Sequence, residues 1–143
     1  ASREGDIALA VVGAHLSGMP LNGELRALGA RLMSETRTTA DYRLFALGGT
    51  QPPKPGMLRV ADGEGASIVV EVWMLTAEAF GIFVAAVPPP LSIGTVRLAD
   101  GRTAKGFLVE AAATVGARDI TSFGGWRAYA TRQQRDTSLS VQA

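Results

Sequence analysis

The chain contains a single histidine, and its neighbours make it a candidate for chemistry. His15 lies in Gly13-Ala14-His15-Leu16-Ser17-Gly18, where small residues would let backbone N–H groups converge on an anion. An imidazole with a pKa of about 6.5 can deliver or accept a proton at neutral pH. Three cations could complete such a cradle, because each interrupts an apolar or proline-fixed stretch: Arg43, Lys54 (between Pro53 and Pro55) and Lys105. Arg43 could grip a carboxylate bidentately, and the lysines would act as point charges. All three could equally be ordinary surface residues. Glu71 sits inside the apolar run IVVEVWML, where an unpaired carboxylate is costly. It could orient His15, pair with a lysine or form a plain structural ion pair. Ser17 and Asn22 read as loop-shaping and capping residues at the same site. Tyr42, beside Arg43, and Trp126 complete the substrate-binding set; Trp73 and Trp126 both read as core, with Trp126 able to border the pocket behind Gly124-Gly125.

These residues need elements to hold them. Ile7–Val12 is an apolar run that predicts a strand emptying into the His15 loop. Asn22 is a candidate N-cap for a helix from about Gly23 to Met33, since Leu25, Leu28 and Leu32 recur on one face. Thr36–Leu47 alternates like a strand, and Gly48–Gly56, with three prolines, is a loop. Met57–Val60 and Ser67–Leu75 predict a hairpin around Asp62–Gly65. Thr76 caps a helix to about Ala86, stopped by Pro88-Pro89-Pro90. Ile93–Leu98 and Arg102–Val109 form a second hairpin around Asp100-Gly101, and Asp119 or Thr121 caps a short last helix through Trp126 and Tyr129. The pattern implies an α+β domain whose mostly antiparallel sheet curls toward a barrel, with a few short helices. Residues 1–6 read as a linker or cloning remnant, 7–130 as the domain, and 131–143 as a polar, flexible tail.

At 143 residues, 47% hydrophobic and 19% charged, the chain has the composition of one globular domain. A net charge of +1, with its cations spread thinly, argues against nucleic acid as a partner. The absence of cysteine excludes disulfides and thiolate chemistry. With one histidine it also leaves few ligands for zinc, so no metal or cofactor is expected. No apolar run approaches the ~20 residues of a membrane span. The expectation is a soluble, cytoplasmic protein with no membrane partner.

The strings GAHLSGMPLN, YRLFALGGTQPPKPGMLRV, VEVWML, IGTVRLADGRTAKGFL and DITSFGGWRAY together resemble the C-terminal domain of allophanate hydrolase over about Ile7–Ala130. The resemblance implies a domain that accompanies an amidase in urea or s-triazine nitrogen catabolism. The amidase product N-carboxycarbamate, a small dicarboxylate-like dianion, would be its substrate. The implied reaction is decarboxylation toward ammonia and carbon dioxide, with His15 as proton donor. It also implies a gamma-glutamyl cyclotransferase-like fold. VVGAHLSG is similar to the substrate loop of that fold, but the region where a cyclotransferase carries its catalytic glutamate is here VAAVPPP, with no carboxylate. That departure counts against gamma-glutamyl cyclisation. The alternative is a non-catalytic interaction domain that organises the amidase or a multi-enzyme complex, or that forms a homo-oligomer.

Overall fold

The computed structural model describes residues 4–142. Three residues of the expected linker and Ala143 of the expected tail lie outside the described residues. Strand β1 (Ile7–Val11) is the centre of a five-stranded sheet of order β2-β5-β1-β7-β6. Its neighbours are β5 (Val69–Leu75), antiparallel, and β7 (Thr103–Val109), parallel. A strand covered on both faces must be apolar throughout. Leu9 and Val11 are fully buried, each stabilising the fold by about 1.5–3 kcal/mol. The edges are β2 (Arg31–Arg37) and β6 (Leu91–Arg97). A second sheet, order β4-β3-β8, comprises β3 (Tyr42–Ala46), β4 (Pro55–Arg59) and the two-residue β8 (Arg118–Asp119). The sheets meet where Gly56 lies against Val109. A Cβ on Gly56 would stand 2.7 Å from that side chain.

The strand-loop start, the Asp100-Gly101 hairpin and the Thr76 cap form as the sequence predicts. β6 and β7 pair from Leu91↔Val109 to Arg97↔Thr103, and the Thr76 hydroxyl accepts the Ala79 N–H at the start of α2 (Ala77–Ala85). Three expectations fail. Helix α1 is only Asn22–Ala27, because Gly29, at φ +77°, closes it. Gly29 N–H donates to the Arg26 carbonyl and Ala30 N–H to that of Leu25, a Schellman end, and the chain leaves as β2. Leu32 and Met33, placed on the helix by spacing, stand exposed on that edge strand. The strand expected over 36–47 is two, broken at Thr38–Asp41 where the chain changes sheet. Finally, β4 and β5 do not form a hairpin. β4 pairs with β3, whereas β5, apolar on both faces, inserts between β1 and β2.

The tail is also different. Helix α3 runs from Trp126 to Gln142, so residues 131–142 are helical. Arg, Gln and Ala favour helix, and an i,i+4 pair of Arg132 with Asp136 supports it. Among the described residues no helix is long and apolar enough to cross a membrane.

Candidate functional site

The loop leaving β1 crosses the end of the central sheet, and its two halves have different partners. The rear half is held from below by Glu71, which is 3% exposed on β5 opposite Val11. The Ser17 N–H and hydroxyl donate to the two Glu71 oxygens at 2.8 and 2.7 Å. Trp73 Nε1 donates to Oε1 at 3.1 Å. Arg127, from the first turn of α3, bridges Oε2 and the Ser17 carbonyl at 3.3 and 3.0 Å. Burial alone would push the Glu71 pKa up. The Ser17 and Trp73 bonds and the Arg127 charge outweigh it and hold the carboxylate below its ordinary value. Glu71 is therefore the structural partner of the loop, and it meets neither His15 nor a lysine.

The front half of the loop faces a cleft of about 530 Å³ whose lining includes His15, Glu24, Lys54, Phe83, Leu91 and Phe107. The imidazole stacks on Phe107, with centroids 5.2 Å apart, and meets Phe83 edge-on at 5.1 Å. Nε2 lies 2.8 Å from Glu24 Oε1. A carboxylate only accepts, so Nε2 carries the proton and the Nδ1 lone pair is left for a ligand. Burial lowers the His15 pKa. Glu24 opposes that shift by hydrogen bond and charge, and Lys54 adds to it, with a net downward result. The ring is therefore neutral at neutral pH. An inner recess of about 20 Å³, bounded by Gly13, Ala14, His15, Lys54 and Phe107 among others, opens beside it and has room for about one oxygen-sized group.

Two of the amides from Ala14 to Gly18 are used within the protein. Leu16 N–H donates to the Gly13 carbonyl and Ser17 N–H to Glu71. Those of Ala14, His15 and Gly18 have no acceptor among the described residues. Lys54 is presented rigidly: its N–H donates to the Thr50 hydroxyl and its carbonyl accepts from Leu47. Asn22 is not the N-cap, since α1 starts at Asn22 itself. Its amide donates to the His15 carbonyl at 2.8 Å and its oxygen accepts from Arg26, whose guanidinium lies 5.4 Å from the Trp73 ring centroid. Asn22 is thus a positioning residue for the loop.

Gly13 is required by contact. A Cβ there would stand 2.2 Å from Pro55 Cδ, and the proline ring cannot yield without moving β4. Gly13→Ala is expected to cost about 1–3 kcal/mol, read from the urea midpoint, and to separate Lys54 from His15.

Other candidates lie elsewhere. Tyr42 is fully buried, its hydroxyl accepting from the Arg97 N–H, and is a core residue. Arg43 is held by the Glu64 carbonyl and by Asp119 on the second sheet, outside the cleft lining. Lys105 is exposed on β7 with its ammonium 3.0 Å from the Thr95 hydroxyl, outside the cleft lining. Trp126 and Leu16 border a different cleft, beside α3. Alternation puts a strand's charged residues on a particular face, but it does not say which sheet the strand will join. Sequence reasoning missed Glu24, Phe83 and Phe107 as cleft residues and Arg127 as the partner of Glu71. One signal was available: Glu71 and Trp73, two apart on a strand, must share a face.

The two curled sheets and the loop over the central strand place the chain in the gamma-glutamyl cyclotransferase-like fold class. A solved gamma-glutamyl cyclotransferase is similar over 80% of this chain and 69% of its own, with TM-score 0.55 and 12% identity. The family is narrower: residues 7–131 match the model of the allophanate hydrolase C-terminal domain, and the chain belongs to that family. Urea amidolyase of Saccharomyces cerevisiae is 45% identical over 126 residues, covering 86% of this chain. The chain spans only 7% of that relative's length. A solved allophanate hydrolase of Kluyveromyces lactis shares 43% identity at TM-score 0.84, over 88% of this chain and 21% of its own. The c4763 protein of uropathogenic E. coli shares 37% at TM-score 0.81, over 88% and 96%.

Proposed function

We propose that this domain decarboxylates N-carboxycarbamate supplied by an amidase domain of the same enzyme. The observation that carries the proposal is that His15, Lys54 and Ala14 border one oxygen-sized recess beside the cleft, and that the Ala14 and His15 amides are not used within the protein. One carboxylate of the dianion enters the recess, where backbone N–H groups and the Lys54 ammonium hold it in a largely apolar setting that strengthens both contacts. The arriving negative charge raises the imidazole pKa, and Nδ1 takes up a proton. The bond between nitrogen and the other carboxyl carbon then breaks. Its electron pair goes to nitrogen, which receives the His15 proton, carbon dioxide departs and carbamate remains. Carbamate then decomposes to ammonia and a second carbon dioxide. Glu24 holds the ring tautomer throughout.

The test is carbon dioxide release from N-carboxycarbamate generated in place by a separate amidase, followed in a stopped-flow pH-indicator assay. The chain is expected to accelerate release above the spontaneous rate, and Lys54→Met to raise KM about tenfold by removing a point charge from the cradle. No acceleration by the intact chain would end the catalytic reading. A second reading, a domain that organises an amidase, draws on the match to only 7% of the length of the urea amidolyase relative, and that reading would then stand.

A further inference from the structure

A second cleft, of about 630 Å³, opens beside the rear half of the loop, and four arginines line it: Arg37 from β2 and Arg127, Arg132 and Arg135 from α3. Glu35 is the one acid in that lining, in a chain whose net charge is only +1. Arg127 is engaged with Ser17 and Glu71, and Arg132 with Asp136. The side chains of Arg37 and Arg135 have no acceptor among the described residues. Arg37 stands at the rim, its Nη1 4.0 Å from where a Cβ on Gly124 would be. Val69, Phe123 and Trp126 contribute apolar surface to the same lining.

The geometry points to a binding site for a small organic anion, its phosphate or carboxylate held by Arg37 and Arg135 and its flat apolar body lying on Phe123 and Trp126. Guanidinium forks match oxyanions bidentately, and the apolar floor distinguishes this cleft from a solvated cationic patch. The volume falls within the ~300–1,000 Å³ typical of small-molecule sites. Arg127 joins the cleft to the Ser17 carbonyl, so an occupant that draws on its guanidinium is felt in the His15 loop.

The test is titration of the isotope-labelled chain with phenyl phosphate and with inorganic phosphate at constant ionic strength, read by amide chemical shifts. Saturable binding is expected, tighter for phenyl phosphate, with shifts at Val69, Gly125 and Ser17. Arg37→Ala/Arg135→Ala is expected to weaken phenyl phosphate about tenfold or more without lowering the melting temperature, and the double lysine variant to recover part of the loss. Three outcomes would overturn the proposal. One is a response that tracks ionic strength and never saturates. Another is shifts confined to the Phe83 and Phe107 side of the loop. The third is tight binding of poly-glutamate with no saturation by phenyl phosphate, which would make the cleft a surface for an acidic protein.

Discussion

A His15→Gln chain is expected to release carbon dioxide from N-carboxycarbamate about 10²- to 10⁴-fold more slowly than the intact domain, the range a positioned general acid contributes. Glutamine fills most of the imidazole volume and can still donate to Glu24, so the slot between Phe83 and Phe107 should persist. It cannot carry a proton to nitrogen. Affinity for malonate, a dicarboxylate mimic, should change much less than the rate. The pH dependence separates proton delivery from simple orientation. In the free domain burial lowers the imidazole pKa, so in the proposed mechanism a proton is taken up as the dianion binds. Malonate titrations near neutral pH should therefore show net proton uptake, visible as a buffer-dependent binding enthalpy and absent in His15→Gln. The rate should fall as pH rises through the imidazole pKa of the complex. A glutamine variant that binds malonate and keeps the full rate would remove His15 from the chemistry.

Glu71→Ala should destabilise the fold by about 3–5 kcal/mol, the scale seen when one member of a buried charged network is deleted. The substitution strands the Trp73 indole N–H in a buried setting, at about 1–3 kcal/mol, and the Ser17 N–H and hydroxyl in a half-buried one, at less. Glu71→Gln keeps the shape but turns one acceptor into a donor facing other donors, so its loss should be smaller yet clear. Chemical denaturation measures both. The folded pKa of Glu71 is depressed, so the stability it contributes is complete above the pH at which unfolded glutamates titrate. It is lost as pH falls through the folded value. Asp41, held low first by the Thr39 hydroxyl and then, against burial, by Arg59, has the same sign. Glu71→Ala should therefore flatten the acid limb of the stability curve without removing it. An unchanged denaturation midpoint at pH 7 would show that the loop does not depend on this carboxylate.

What could be read from the residues follows the range of the interaction concerned. The Thr76 cap, the Asp100-Gly101 turn and the buried run of β1 are decided within a few positions, and the structure has all three. The end of α1 was also local, since Gly29 marks it, but leucine spacing through Leu32 suggested continuation and the left-handed glycine prevailed. Strand partners are not local. Nothing between Met57 and Leu75 says that β4 returns to β3 while β5 crosses to β1 and β2, and so the roles of Tyr42 and Arg43 went astray with their sheet. The meeting of His15 with Lys54 follows from the Gly13–Pro55 contact, which depends on the same crossing. Glu24 reaches Nε2 only because α1 folds back over the loop, and Arg127 reaches Glu71 across 56 positions of sequence.

The Glu71 anchor holds the Ser17 half of the loop, and the His15 half lines the cleft. Exchanges at Glu24, Lys54 or Phe83 leave the Glu71 anchor intact, so the pocket chemistry of this fold can drift in evolution while the platform beneath it stays fixed. Relatives that bear different side chains at these three positions should therefore retain the backbone trace from Gly13 to Gly18, and diversity in what they accept should concentrate on the imidazole side.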